Sequence, residues 1–224
     1  MAKKTWKKFP YPDKHFAYGG TALKKNWERL HRGDGEPYPD DEAAQDAWRA
    51  YHAGDFAKAV EIGLAAGAAG INAANKAAMI HANYLEDDEA SKLQLFQEIA
   101  ERCVALQQAD PANANAWYIH AYALGRYSQG ISVAKALAQG LGGKIKESLD
   151  QALKLQPRHA DAHIALGTFH AEVIDKVGRL LGKTQGADTA TGLKMFQQAL
   201  KLNPGSAIAM IEYANGLVML EGDK

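Results

Sequence analysis

Apolar positions recur at three- and four-residue spacings along most of this chain, the mark of amphipathic helices. Leu23, Trp27 and Leu30 stand at i, i+4, i+7 and predict a short helix over 21–31. Ala44, Trp48 and Tyr51 share one face of a second helix, which Asp40 or Asp41 can cap and which runs to about Ala53. Gly54-Asp55 turns the chain, and 56–68 returns antiparallel. Gly70-Ile71-Asn72 opens a helix to about Glu86, striped by Ala74, Ala78, Ile80 and Tyr84. Asp87 or Asp88 caps the next, whose Leu93, Phe96, Ile99, Cys103 and Leu106 keep the period up to Pro111. Two longer pairs follow: 117–139 with 144–155, and 160–181 with 189–202. A last helix is predicted over 207–220. Its Ile208, Ile211, Leu217 and Met219 meet no following segment, so the native chain is expected to continue or to borrow cover from another copy.

Within this pattern one phrase occurs three times: ALQQADPANANAWYIHA from Ala105, QALKLQPRHADAHIALG from Gln151 and QALKLNPGSAIAMIEYA from Gln198. Its prolines, Pro111, Pro157 and Pro204, are 46 and 47 residues apart. Each proline ends one helix, and alanines open the next. Ten residues past the proline a small residue returns, Ala121, Gly167 and Ala214, and is expected to be buried where paired helices cross.

A helix ending in A-L-x-L-x-P and followed by x-x-A-x-A-x-x-x-x-G resembles the tetratricopeptide repeat over about 41–220, and Ala53-Gly54-Asp55-Phe56-Ala57-Lys58-Ala59 resembles that family's inter-helix turn. The family's unit is about 34 residues, and here the surplus falls at 126–142 and 171–188. Long first helices, His163, Leu180-Leu181-Gly182 and the run Gly192–Pro204 are also similar to the regulator of microtubule dynamics proteins, with Gly192 where that family has Ala. The resemblance implies an all-α, right-handed solenoid of antiparallel helix hairpins, with elongated first helices in the C-terminal units. The expected layout is a basic arm with a short helix over 1–40, then repeats over 41–224: units of about 41–70, 71–111, 112–157 and 158–204, and a partial unit 205–224.

Composition narrows the function. Formal net charge is zero, which argues against bulk attraction to nucleic acid or anionic membrane. Seven lysines against Asp13 give residues 1–25 a charge of +6, leaving −6 for the rest. Trp6, Phe9, Pro10 and Pro12 interrupt any signal-peptide core, and the weakly polar run 59–74 is too short and too polar to span a membrane. A single cysteine, Cys103, forms no internal disulfide and reads as a buried small hydrophobe. A cytoplasmic protein is expected.

Chemical motifs are weak. Gly178–Thr184 has a gap one residue short of a phosphate-binding loop and follows a helix rather than a strand. Arg32-Gly33-Asp34 spells an adhesion tripeptide without a cytoplasmic receptor. His159, His163 and His170 offer an alternative metal or enzyme reading, but neither cysteine nor an H-E-x-x-H spacing joins them. No cofactor or metal is implied, and no nucleophile set is apparent. In a stacked hairpin array the first helices line the concave surface. That face is expected to carry Trp48, Tyr51, Tyr118, Tyr122, Arg126, Asp161, Thr168 and Glu172. Aromatics and arginine anchor interfaces, so the expected function is a non-catalytic protein- or peptide-binding scaffold. Homo-oligomerisation through 207–220 is a further expectation, and the arm is expected to enter the groove, to pack on the first hairpin alone or to stay disordered.

Overall fold

A computed structural model describes residues 6–222; the lysines at 3 and 4 of the basic arm, and the last two residues, lie outside the described residues. The described residues contain eleven α-helices and no strand. They are α1 (Ala22–Leu30), α2 (Glu42–His52), α3 (Phe56–Ala65), α4 (Ile71–Tyr84), α5 (Glu89–Ala109), α6 (Ala114–Gln129), α7 (Val133–Ala138), α8 (Leu141–Leu155), α9 (Ala160–Thr184), α10 (Thr189–Leu202) and α11 (Ala207–Glu221). Side-chain caps explain most of the starts. Asp41, Asp55, Asp88, Asn113, Ser132, Asp188 and Ser206 each accept the N–H three residues on, satisfying a donor that the helix leaves unpaired.

Two expected long helices differ. The helix predicted over 117–139 stops at Gln129, and Ser132 caps a separate short α7. α9 breaks at Gly178, whose φ of 78° and ψ of 163° lie outside helical values. Such a φ is open to glycine and strained for other residues.

The chain forms two compact units. Unit 1 comprises the residues up to Leu30 together with Glu36–Pro111; unit 2 comprises His31–Gly35 and the chain from Ala112 onward. In unit 1, α2 packs on α3, α3 on α4 and α4 on α5. Trp27 and Trp48 meet edge to face at 5.6 Å, beside Leu23, Tyr18, Ala47 and Ala73. The indole N–H of Trp27 donates to the Glu36 carbonyl at 2.7 Å. α3 and α4 approach through Gly63 and Gly70; a Cβ on Gly63 would lie 2.6 Å from the Gly70 carbonyl.

In unit 2, α6 pairs with α8, and α9 with α10, while α11 packs on α9 and α10. Phe196 of α10 lies between two glycines: a Cβ on Gly167 would come within 2.9 Å of its ring, and one on Gly216 within 2.4 Å. Its ring stacks on Tyr213 at 5.4 Å. Ala121 and Gly167 are buried as expected, but Ala214 is exposed. The small position is covered where a further helix pairs with its own, and no described helix follows α11.

Candidate functional site

The expected groove residues are placed unequally. In unit 1, Trp48 is fully buried among Trp27, Tyr51 and His52, so it is a core residue rather than a surface anchor. Tyr51 is half-buried and packs in the cluster that Trp6 and Phe9 of the arm join. In unit 2, Tyr118 is buried against the His159 ring at 4.7 Å. Asp161 lies over residue 33: its N–H donates to the Gly33 carbonyl at 3.0 Å, and a Cβ on Gly33 would strike its carboxylate.

The other four gather on one face. Helical spacing sets Tyr118, Tyr122 and Arg126 along α6, and Thr168, Glu172 and Lys176 along α9. The Arg126 guanidinium lies over the Tyr122 ring at 5.2 Å and 3.8 Å from Glu212 of α11. Thr168 donates to the same Glu212 at 3.4 Å. Gln129 donates to Glu172 at 2.5 Å, and Lys176 stands 3.9 Å from that carboxylate. Three helices thus share one network of aromatic, cationic and anionic groups, half-buried at Tyr122, Arg126, Thr168, Glu172 and Glu212 and exposed at Gln129 and Lys176. Glu212, Gln129 and Lys176 belong to it and were not foreseen. The repeat register gave no signal for Glu212, because the positions equivalent to it in α6 and α9 are Ile119 and Ala165.

Burial shapes the charges. It pushes the Glu172 carboxyl above the usual carboxylate range, against the pull of Lys176, Gln129 and Arg126. It also works against the Arg126 charge, but Tyr122, Glu212 and Glu172 outweigh it and hold the guanidinium above its ordinary value. The Cys103 thiol, buried and hydrogen-bonded by Asn75, is pushed up to about 12, chiefly by burial. It behaves as the expected inert side chain.

The histidines of α9 have structural work. His159 Nδ1 accepts the Ala162 N–H at 3.0 Å, capping the helix, so Nε2 carries the hydrogen and donates to Asn115 Oδ1 at 3.0 Å. His163 Nε2 donates to the Pro157 carbonyl at 3.0 Å. His170 Nδ1 accepts the Asp188 N–H at 3.1 Å. Among the described residues no group of three or more potential ligands converges to hold a metal. The burial of Asp34, with its carboxylate 3.0 Å from His31 Nδ1, agrees with setting aside the adhesion reading of 32–34. No helix among the described residues is long and apolar enough to cross a membrane.

The described residues form an all-α protein of packed helices with a polar network across α6, α9 and α11. The family model described as regulator of microtubule dynamics protein 1-3 matches residues 71–214, and the chain belongs to that family. The match begins at the first residue of α4 and ends within α11. No curated protein matches the chain.

Proposed function

We propose that the chain is a non-catalytic scaffold whose hairpins stack in the tetratricopeptide manner and whose α6–α9–α11 face binds a peptide segment of a protein partner. The observation that carries this reading is the network of Tyr122, Arg126, Thr168, Glu172 and Glu212. Tyrosine and arginine are the residue types that dominate interface energies. Here both are half-buried and held in place by one another, so little side-chain freedom remains to be lost on binding. The mixed charge, two cations facing two carboxylates, suits a polar peptide better than an apolar small molecule. The family's name speaks of microtubule dynamics, which makes a cytoskeletal assembly the first partner to test.

The test is selection from a displayed peptide library on the full chain, with co-sedimentation on polymerised tubulin alongside. Enriched peptides should lose at least tenfold in affinity for a Tyr122→Ala, Arg126→Ala double variant, about 1.4 kcal/mol or more. Peptides that bind the double variant equally well would remove this face from the function. Stoichiometric zinc or iron in purified protein would replace the binding-only reading altogether.

One observation favours a second, structural reading. α11 exposes Ile208, Met210, Ile211 and Val218, and large apolar patches mark interaction sites. Self-association through this helix is measured by sedimentation, and an Ile211→Glu variant should abolish it.

A further inference from the structure

Residues 6–9 of the arm sit on unit 1 by their side chains. The Trp6 ring stacks flat on His81 of α4, with centroids 4.0 Å apart and planes 8° from parallel. Three residues on, Phe9 meets Phe56 edge to face at 5.9 Å. Both rings pack into the cluster of Ala50, Phe56, Ala59 and Ala77, beside Val60, Ile80 and Leu85. Lys7 pairs with Asp87 at the surface. The seat is shaped for a ring. Gly54, at φ +80°, makes the turn between α2 and α3, and a Cβ there would lie 2.7 Å from the Phe9 ring. The turn therefore demands glycine twice, for its backbone and for the ring above it.

What holds the arm is as telling as what it touches. Among the described residues, 6–12 show no main-chain hydrogen bond to the rest of the chain. Residues 10–17 are all exposed. The chain is pinned again only at Tyr18, which is buried, accepts a hydrogen bond from Arg29 at 3.0 Å and stands against His52 at 5.8 Å. Trp6 and Phe9 can thus leave together, swinging on the exposed segment, without breaking a main-chain hydrogen bond from Tyr18 onward. The Lys7–Asp87 pair is more than half exposed on both sides, and such pairs contribute little. Among the described residues of the arm, two rings and a tether therefore carry most of the docking.

We propose that this seat is a peptide-binding site of unit 1, and that residues 6–9 are its displaceable resident. The partner it fits is an extended, basic segment of another protein presenting two aromatic side chains three residues apart, the first beside a lysine. Occupancy by the arm keeps the site closed to weak ligands. A short flexible tether gives an effective concentration of about 1 mM. A free peptide of the same sequence with a dissociation constant of about 10 μM would then bind the intact chain roughly a hundredfold more weakly than a chain whose arm has lost its rings.

The experiment compares the full chain with its Trp6→Ala, Phe9→Ala variant, using a fluorescein-labelled peptide of residues 6–13 and fluorescence anisotropy. The expected result is binding to the variant at least tenfold tighter than to the parent, and no binding of a peptide with both rings replaced by alanine. If the variant lacks a cooperative melt, a second protein takes its place: the parent with a specific protease site inserted after Lys14, folded, cut and diluted until the arm leaves. Failure of the peptide to bind either arm-free protein would overturn the proposal, as would equal affinity for parent and variant. A heterodimer of parent and variant, with no binding of free peptide, would assign the seat to a second copy and overturn the external partner.

Discussion

At the scale of single residues, two glycines of unit 2 make opposite predictions. Gly167 lies against Phe196, and an added Cβ would stand 2.9 Å from two ring atoms that Gly216 prevents from retreating. Gly167→Ala should therefore cost about 1–3 kcal/mol, and Gly167→Leu more, by overpacking. Gly125, inside α6, has nothing within 4 Å of its Cβ direction. There the loss of backbone freedom is the only term, and Gly125→Ala should stabilise by about 1 kcal/mol. Urea midpoints of the two variants check both signs at once, and a pair that moves in the same direction would refute the helix crossing. Cys103 adds a kinetic check. With its pKa near 12 and its sulfur buried, labelling at pH 8 should run about a thousandfold slower than in urea-unfolded chain. The buried role of Gly167 was legible from its recurrence ten residues after Pro157, whereas Trp48 was misplaced. A tryptophan on an amphipathic stripe looks alike in sequence whether its stripe faces a groove or, as here, another tryptophan.

At the scale of helices, the starts were more legible than the ends. Asp before an apolar run announces a cap by its chemistry: of the two pairs of candidates, Asp41 and Asp88 accept the expected N–H, and Asn113 does the same for α6 without having been foreseen. The break after Gln129 was hidden because 126–142 keeps its alanines and leucines, and only the Gly130–Ser132 pause marks it. His159 caps α9 through its ring nitrogen, although imidazole is an uncommon N-cap. The histidines that suggested a metal carry a pH prediction instead. His163, His170 and His120 are each held below the ordinary 6.5, first by burial. A histidine with a depressed folded pKa contributes stability that is fully present above its unfolded value. That contribution is lost as pH falls below about 6.5 through the folded values. The melting temperature should accordingly drop between pH 7 and pH 5. His170→Asn, which keeps an acceptor for the Asp188 N–H, should flatten part of that slope. An unchanged slope would mean that His170 titrates normally.

At the scale of the molecule, the all-helical class was written in the three-to-four-residue period, and the ends of α5, α8 and α10 in the three prolines that follow them. What the period could not convey is that unit 2 is not one continuous stretch. Residues 31–35 read as a loop by composition, yet they close unit 2 from far away in sequence. The Asp34 carbonyl accepts from Asn115 at 3.1 Å, the Gly33 carbonyl from the Asp161 N–H at 3.0 Å and the Gly35 carbonyl from Gln156 at 3.2 Å. Asn115 in turn accepts from His159, so the strap, the start of α6 and the cap of α9 form one chain of buried hydrogen bonds. No hydrophobic pattern announces such a contact, because main-chain carbonyls carry it. A fragment starting at residue 112 would lack the strap. The Asn115 amide would lose its carbonyl partner, and buried polar groups left unpaired cost about 1–3 kcal/mol each. The fragment should therefore be less stable than unit 2 of the full chain by about 2–5 kcal/mol. A synthetic peptide of residues 28–38 should restore part of that loss in a saturable way, since it binds the folded fragment alone. The rescue should vanish when Asn115 is replaced by Leu, which removes both the donor to Asp34 and the acceptor for His159. Calorimetry of the fragment with and without peptide decides the matter: a melting temperature indifferent to the peptide would show that residues 31–35 rest on unit 2 without holding it together.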